Sequence, residues 1–176
     1  MNEEKPFTYP AESICRDHPR DTFNLAKKQV LTLIGYSGMG YADPEGLKER
    51  FKTDLGEFPA DEWIVNIGAT PYGIGELYEV ASSLGYETVG IVSKRSRKKS
   101  NYHPDCQMVF VVEDETWGGE LEDGSLSPTS RTILDCSDQI LGYGGGRVGR
   151  AELCAAIRED LPVLFFPVKP GKSKGR

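Results

Sequence analysis

Apolar residues along the chain gather in short runs, each followed by glycine and then by a stretch of helical period. Val30-Leu31-Thr32-Leu33-Ile34 is almost fully apolar and ends at Gly35. Such a run suits a strand buried on both faces of a parallel sheet. Tyr36 to Tyr41 reads as a loop, and Asp43-Pro44 as the N-cap and first residue of a helix. Leu47, Phe51 and Leu55 recur every four residues, so one face of that helix packs on the sheet, and Gly56 stops it. The scheme then repeats. Trp63 to Ile67 predicts a second strand ending at Gly68, Ala69 to Gly75 a turn, and Glu76 to Leu84 a helix with Leu77, Val80, Ala81 and Leu84 inward. Gly85 fits its left-handed cap. Thr88 to Val92 and Met108 to Val112 predict the third and fourth strands. A helical stretch around Arg131 to Cys136 leads to the strand Gln139 to Leu141 and the glycine-rich segment Gly142 to Gly149. Arg150 to Arg158 predicts a helix with Leu153, Cys154 and Ile157 apolar, and Leu161 to Phe166 a last strand. The alternation predicts the α/β class, a Rossmann-like doubly wound parallel sheet with helices on both faces.

Residues 1–28 lack a period and carry Pro6, Pro10 and Pro19, which predicts an irregular arm. Residues 29–168 form the expected Rossmann-like nucleotide-binding domain, and 169–176 a disordered basic tail. Glu113 to Ser130 is acidic, rich in Gly and Ser, and long for a connection, which suits a mobile lid.

Composition narrows the classes. The 176 residues suit one domain, large enough to fold without a metal or disulfide. A net charge of −6 argues against general nucleic-acid binding. The longest apolar runs, such as Val163 to Phe166, are too short to cross a bilayer, and Met-Asn-Glu-Glu-Lys does not open a signal peptide. A cytoplasmic protein with no membrane contact is the expectation. Cys15, Cys106, Cys136 and Cys154 show no C-x-x-C spacing, and His18 and His103 are the only histidines. No metal centre and no cofactor are expected on that pattern. Cys136 and Cys154 read as small core residues. Glu113, Asp114, Glu115, Glu120, Glu122 and Asp123 would suit Mg²⁺ if they bind a metal, and otherwise keep a loop solvated.

In an open parallel sheet, ligands bind beyond the carboxyl ends of the strands. Three glycine-bearing turns fall there, after Ile34, Ile67 and Leu141. A helix start offers unpaired N–H groups and a partial positive charge, and glycine lets an anion approach them. Phosphate is the natural occupant. Gly144, Gly146 and Gly149 fit G-x-G-x-x-G, although no acidic residue ends the following strand. No turn continues into G-K-[ST], so a Walker P-loop is absent. The candidate ligand contacts are Gly35, Ser37, Gly38, Gly68, Thr70, Gly73, Gly144, Gly145, Gly146 and Gly149. Arg147, Arg150, Lys94 and Arg95 are candidates to neutralise charge, the last two opening the basic run Lys94 to Lys99. Trp117 could stack on a base. Gly35-Tyr36-Ser37-Gly38-Met39 misses the nucleophile-elbow pattern at Met39.

Ile64 to Gly75, running on to Val89-Gly90-Ile91-Val92, resembles the second strand, glycine turn, helix and third strand of the SLOG superfamily. Ser137-Asp138-Gln139-Ile140-Leu141 with Gly145-Gly146-Arg147-Val148-Gly149 resembles that family's SDA-strand-GGxxGT segment, and Pro162 to Phe166 its closing KPV strand. The likeness covers roughly residues 29 to 168 and joins several elements in order. The superfamily includes the LOG phosphoribohydrolases, also called lysine decarboxylase-like proteins, which implies a nucleotide-type ligand and a homodimer or higher oligomer. By that resemblance Glu152 and Arg131 are the candidate catalytic residues. The family Thr after the second motif glycine is Arg150 here, and the family Glu position is Leu153, one place after Glu152. The family Arg falls at Thr129, two places before Arg131. Two functions stay open: binding or sensing of a nucleotide-derived ligand, and hydrolysis of the N-glycosidic bond of a nucleoside 5′-monophosphate.

Overall fold

The computed structural model describes residues 7–9, 27–97 and 102–172. The strands are β1 (Phe7–Tyr9), β2 (Gln29–Gly35), β3 (Trp63–Ile67), β4 (Glu87–Ser93), β5 (Met108–Val112), β6 (Gln139–Tyr143) and β7 (Val163–Phe166). Helices α1 (Pro44–Asp54), α2 (Leu77–Ser83), α3 (Lys94–Arg97), α4 (Pro128–Cys136) and α5 (Arg147–Arg158) lie between them. One sheet runs in the order β1-β5-β4-β3-β2-β6-β7, and every neighbouring pair is parallel.

β2 lies inside the sheet because both its faces are apolar. Val30, Leu31, Leu33 and Ile34 are all buried, and full burial of such side chains stabilises by about 1.5–3 kcal/mol each. α1 and α2 pack together on one face, bringing Phe51, Leu77 and Tyr78 into the core. α4 and α5 pack together on the other. From β2 the chain winds through β3 and β4 to β5, then returns to β6 on the opposite side of β2. The topological switch point therefore lies at the ends of β2 and β6, where an open α/β sheet has its crevice. Tyr41 ties these two ends together. Its hydroxyl donates to the Tyr143 carbonyl at 2.8 Å and accepts the Tyr36 N–H at 3.0 Å.

Several boundaries differ from the sequence expectation. Phe7–Tyr9 is not irregular but pairs with β5, Phe7 opposite Met108. Three residues are too few to show a period, yet they cover an edge that would otherwise leave N–H and C=O groups unpaired. The rest of the arm up to residue 26, Lys98 to Asn101 and residues 173–176 lie outside the described residues. Lys169 to Lys172 lie against the loop after β2, with Ala42 N–H donating to the Lys169 carbonyl and Gly171 N–H to that of Gly40. The acidic segment is pinned at both ends. Asp114 accepts from Thr116 and Thr129, and Glu120 bridges Leu126. α4 starts at Pro128 because the Ser127 hydroxyl caps the Ser130 N–H. α5 starts at Arg147, three residues earlier than expected, with Gly146 as N-cap. Among the described residues, no helix is long and apolar enough to cross a membrane.

Candidate functional site

A cavity of about 500 Å³ lies at the carboxyl ends of β2, β3 and β4, between the sheet and helices α4 and α5. That volume is in the range of small-molecule sites. Thr32 and Asn66 lie inside it, and Ser93, Tyr102 and Trp117 are also on its wall. Thr32 and Asn66 are direct neighbours in the β2–β3 register. They begin a hydrogen-bonded chain: Asn66 Nδ2 donates to Thr32 Oγ1 at 3.1 Å, Thr32 Oγ1 lies 2.6 Å from Ser137 Oγ, and Ser137 Oγ donates to the Ile133 carbonyl at 2.6 Å.

α5 supplies the other wall through Val148, Gly149 and Glu152. Positions 149, 152, 153 and 156 follow helical spacing and are all buried. Gly149 allows the close approach: a Cβ there would lie 2.8 Å from Ile34 Cγ2. Glu152 thus turns inward, while Leu153 packs in the apolar core with Ile34 and Ile140. Burial pushes the Glu152 carboxyl up to about 7, a rise partly offset by the Ser130 hydroxyl, which donates to Oε1 at 2.7 Å. Ser130 in turn accepts the Gly119 N–H at 2.7 Å. Burial alone would also raise Asp114, but hydrogen bonds from Thr116 and Thr129 hold it below the ordinary carboxylate value.

Beside the cavity, sharing Trp117, Gly118 and Val148 with it, is a depression of about 840 Å³. Arg147, Arg150, Arg158, Glu120 and Glu122 line it. Gly146 has no side chain to cap α5, so the N-cap residue leaves the first-turn N–H groups without a side-chain acceptor.

Of the sequence candidates, Gly35, Ser37, Gly68, Thr70, Gly149 and Glu152 line the cavity. Gly38, Gly73, Gly144, Gly145 and Gly146 do not. Gly73, at φ +59°, lies against the carbonyls of Tyr36 and Ser37, and Gly144 lies against the Tyr36 ring. Arg147 and Arg150 lie on the depression. Lys94 pairs with Glu113 at 2.8 Å and Glu115 at 3.6 Å. Arg95 stands 5.1 Å over the Trp117 ring and donates to the Glu115 carbonyl. Arg131 pairs with Asp135 at 2.9 Å and Glu159 at 2.8 Å, off the cavity wall. Thr129 occupies the wall instead, so no Lys or Arg lines the cavity among the described residues. Cys154 is exposed rather than a core residue, because the inward face of α5 passes through Glu152 and Leu153. The acidic segment gathers no metal site: no group of three His, Cys, Asp or Glu among the described residues could hold an ion.

Thr32 and Asn66 escaped the sequence reading because single polar residues inside apolar runs look like noise, and Thr129 and Ser130 because they fall in the aperiodic Gly- and Ser-rich segment. The available signal was that Thr32 and Asn66 interrupt two neighbouring strands at one level.

No family model matches the chain, and no curated protein matches it. Solved structures do. The molybdenum cofactor (Moco) carrier protein from Chlamydomonas reinhardtii superposes with a TM-score of 0.55 at 19% identity, over 79% of this chain and 76% of that one. The molybdenum cofactor binding protein from Rippkaea orientalis gives 0.58 at 16% identity, over 78% and 76%. A structural genomics target, TM1055, gives 0.54 at 21% identity, over 77% and 72%. Strand order, all-parallel pairing and these neighbours together make this chain a Rossmann-like α/β fold.

Proposed function

We propose that the chain binds a phosphate-bearing heterocycle of nucleotide type, with the ring in the cavity and the phosphate at the start of α5. The observation that carries this is the placement of a half-open, polar-floored cavity at the switch point, beside a helix whose N-cap is glycine. Arg147 and Arg150 add positive charge on the adjoining depression. Binding without turnover is favoured over N-glycosidic hydrolysis. A carboxylate that steadies an oxocarbenium-like state must be ionised, and burial keeps Glu152 largely protonated below pH of about 7. The Arg expected beside it is also missing from the cavity wall. Two of the structural neighbours are described by the molybdenum cofactor they carry or bind, which favours a pterin-type ligand as the second reading. The protein is taken to act in the cytoplasm as a homodimer or higher oligomer.

The test is a thermal-shift panel of AMP, GMP, CMP, UMP and inorganic phosphate. A ligand at 100 times its Kd should stabilise by about 2.7 kcal/mol. Release of free base that disappears in Glu152→Gln would instead establish the hydrolase. Molybdenum found by elemental analysis of purified protein would favour the pterin. No shift with any monophosphate would overturn the nucleotide reading.

A further inference from the structure

The hydrogen-bonded chain behind the cavity fixes which atom Asn66 presents to a ligand. Ser137 has one hydroxyl proton and gives it to the Ile133 carbonyl. The bond between Thr32 and Ser137 must then be made with the Thr32 proton. Thr32 Oγ1 can therefore only accept from Asn66, so the amide nitrogen faces Thr32. A turned amide would set its carbonyl oxygen against a hydroxyl whose proton is already used. Asn66 is 1% exposed, and its Oδ1 has no hydrogen-bond partner among the described residues. A buried acceptor left in that state costs free energy, and the cavity it lines is the place from which a donor can come.

Asn66 also lies deep. Its neighbour Thr32 stands three residues before Gly35, which at the strand rise is about 10 Å below the rim. With phosphate at the rim, the end of a nucleotide-type ligand furthest from it is the heterocycle. A ring carbonyl at Oδ1 would set two acceptors face to face; a ring amine would complete the acceptor.

We propose that Asn66 is a specificity-determining residue whose Oδ1 accepts a hydrogen bond from an amine on the ligand's ring, selecting amino-bearing heterocycles over analogues that lack the amine. The assignment rests on the ligand reading above and goes beyond it by naming the edge that is read.

Two ligand pairs differ by a single amine: GMP against IMP, and AMP against purine riboside 5′-monophosphate. Titration calorimetry on the full chain should show, in at least one pair, the amine-bearing member binding about tenfold tighter or more. Asn66→Leu should bring that ratio close to one. Thr32→Val, which removes the anchor but keeps the amide, should also lower it, and serves if Asn66→Leu does not fold. Equal affinities within both pairs in the unsubstituted protein would mean that water alone serves Oδ1, and would overturn this assignment while leaving the ligand reading intact. A ratio unchanged in Asn66→Leu would also overturn it. Failure of every monophosphate to bind would overturn both.

Discussion

Glu152 titrates in a direction that the protein's stability should report. Burial raises its carboxyl in the folded state to about 7 from an ordinary 4.5, so between those values the folded chain holds a proton that the unfolded chain has lost. This stabilisation is complete below pH of about 4.5 and is lost as pH rises through about 7. The amount at stake is roughly 3 kcal/mol, at about 1.4 kcal/mol per unit. Urea unfolding at pH 5 and pH 8 should show the fall, and Glu152→Gln should flatten it. Gly73 makes a second prediction at this scale. Its φ of +59° disfavours a side chain, and a Cβ there would strike the Tyr36 carbonyl. Gly73→Ala should cost about 2 kcal/mol or more, read as a lower melting temperature. The two residues differ in legibility. Gly73 announced itself within a glycine-rich turn, whereas the orientation of Glu152 depended on where α5 begins, and an uncapped glycine start hides that from sequence.

At the level of elements, α4 is amphipathic in an unusual sense, since its buried face is largely hydroxyl-bearing. Thr129, Ser130 and Thr132 are all buried. Their hydroxyls reach Asp114, Glu152 and the Pro128 carbonyl respectively. Apolar periodicity therefore located only the last part of this helix, from Arg131, and left its first turn in the acidic segment. Ser127 fixes that first turn by capping the Ser130 N–H. Ser127→Ala should cost about 1 kcal/mol in denaturant unfolding. It should also loosen the cavity wall, because Ser130 is the residue that holds both Gly119 and Glu152. The strands were far easier to read. β2 to β5 are rich in apolar side chains, Val and Ile above all, as burial on both faces favours.

Across the whole molecule, the sheet is finished differently at its two edges. Among the described residues, β1 closes the β5 side, while β7 ends the other with Leu164 and Phe165 exposed on opposite faces, and Ile157 of α5 is exposed as well. Large apolar side chains at a bare edge favour self-association. Analytical ultracentrifugation should find an assembly that Phe165→Glu dissociates. Strand order and the second half of the sheet's switch could not be read from the chain, because pairing partners far apart in sequence carry no local mark. The Asn66–Thr32–Ser137 chain shows what such distant pairing can do. Ser137 does not itself line the cavity but stands behind its wall, bonded to Thr32. Replacing it with alanine would leave the Thr32 proton without its acceptor, and the neighbouring amide could rotate to take it. Its NH₂ group would then point inward, and the pocket would ask for a carbonyl where it had asked for an amine. One oxygen deleted from a turn between helix and strand would reverse the chemical taste of the protein, and the same paired titrations would register the inversion.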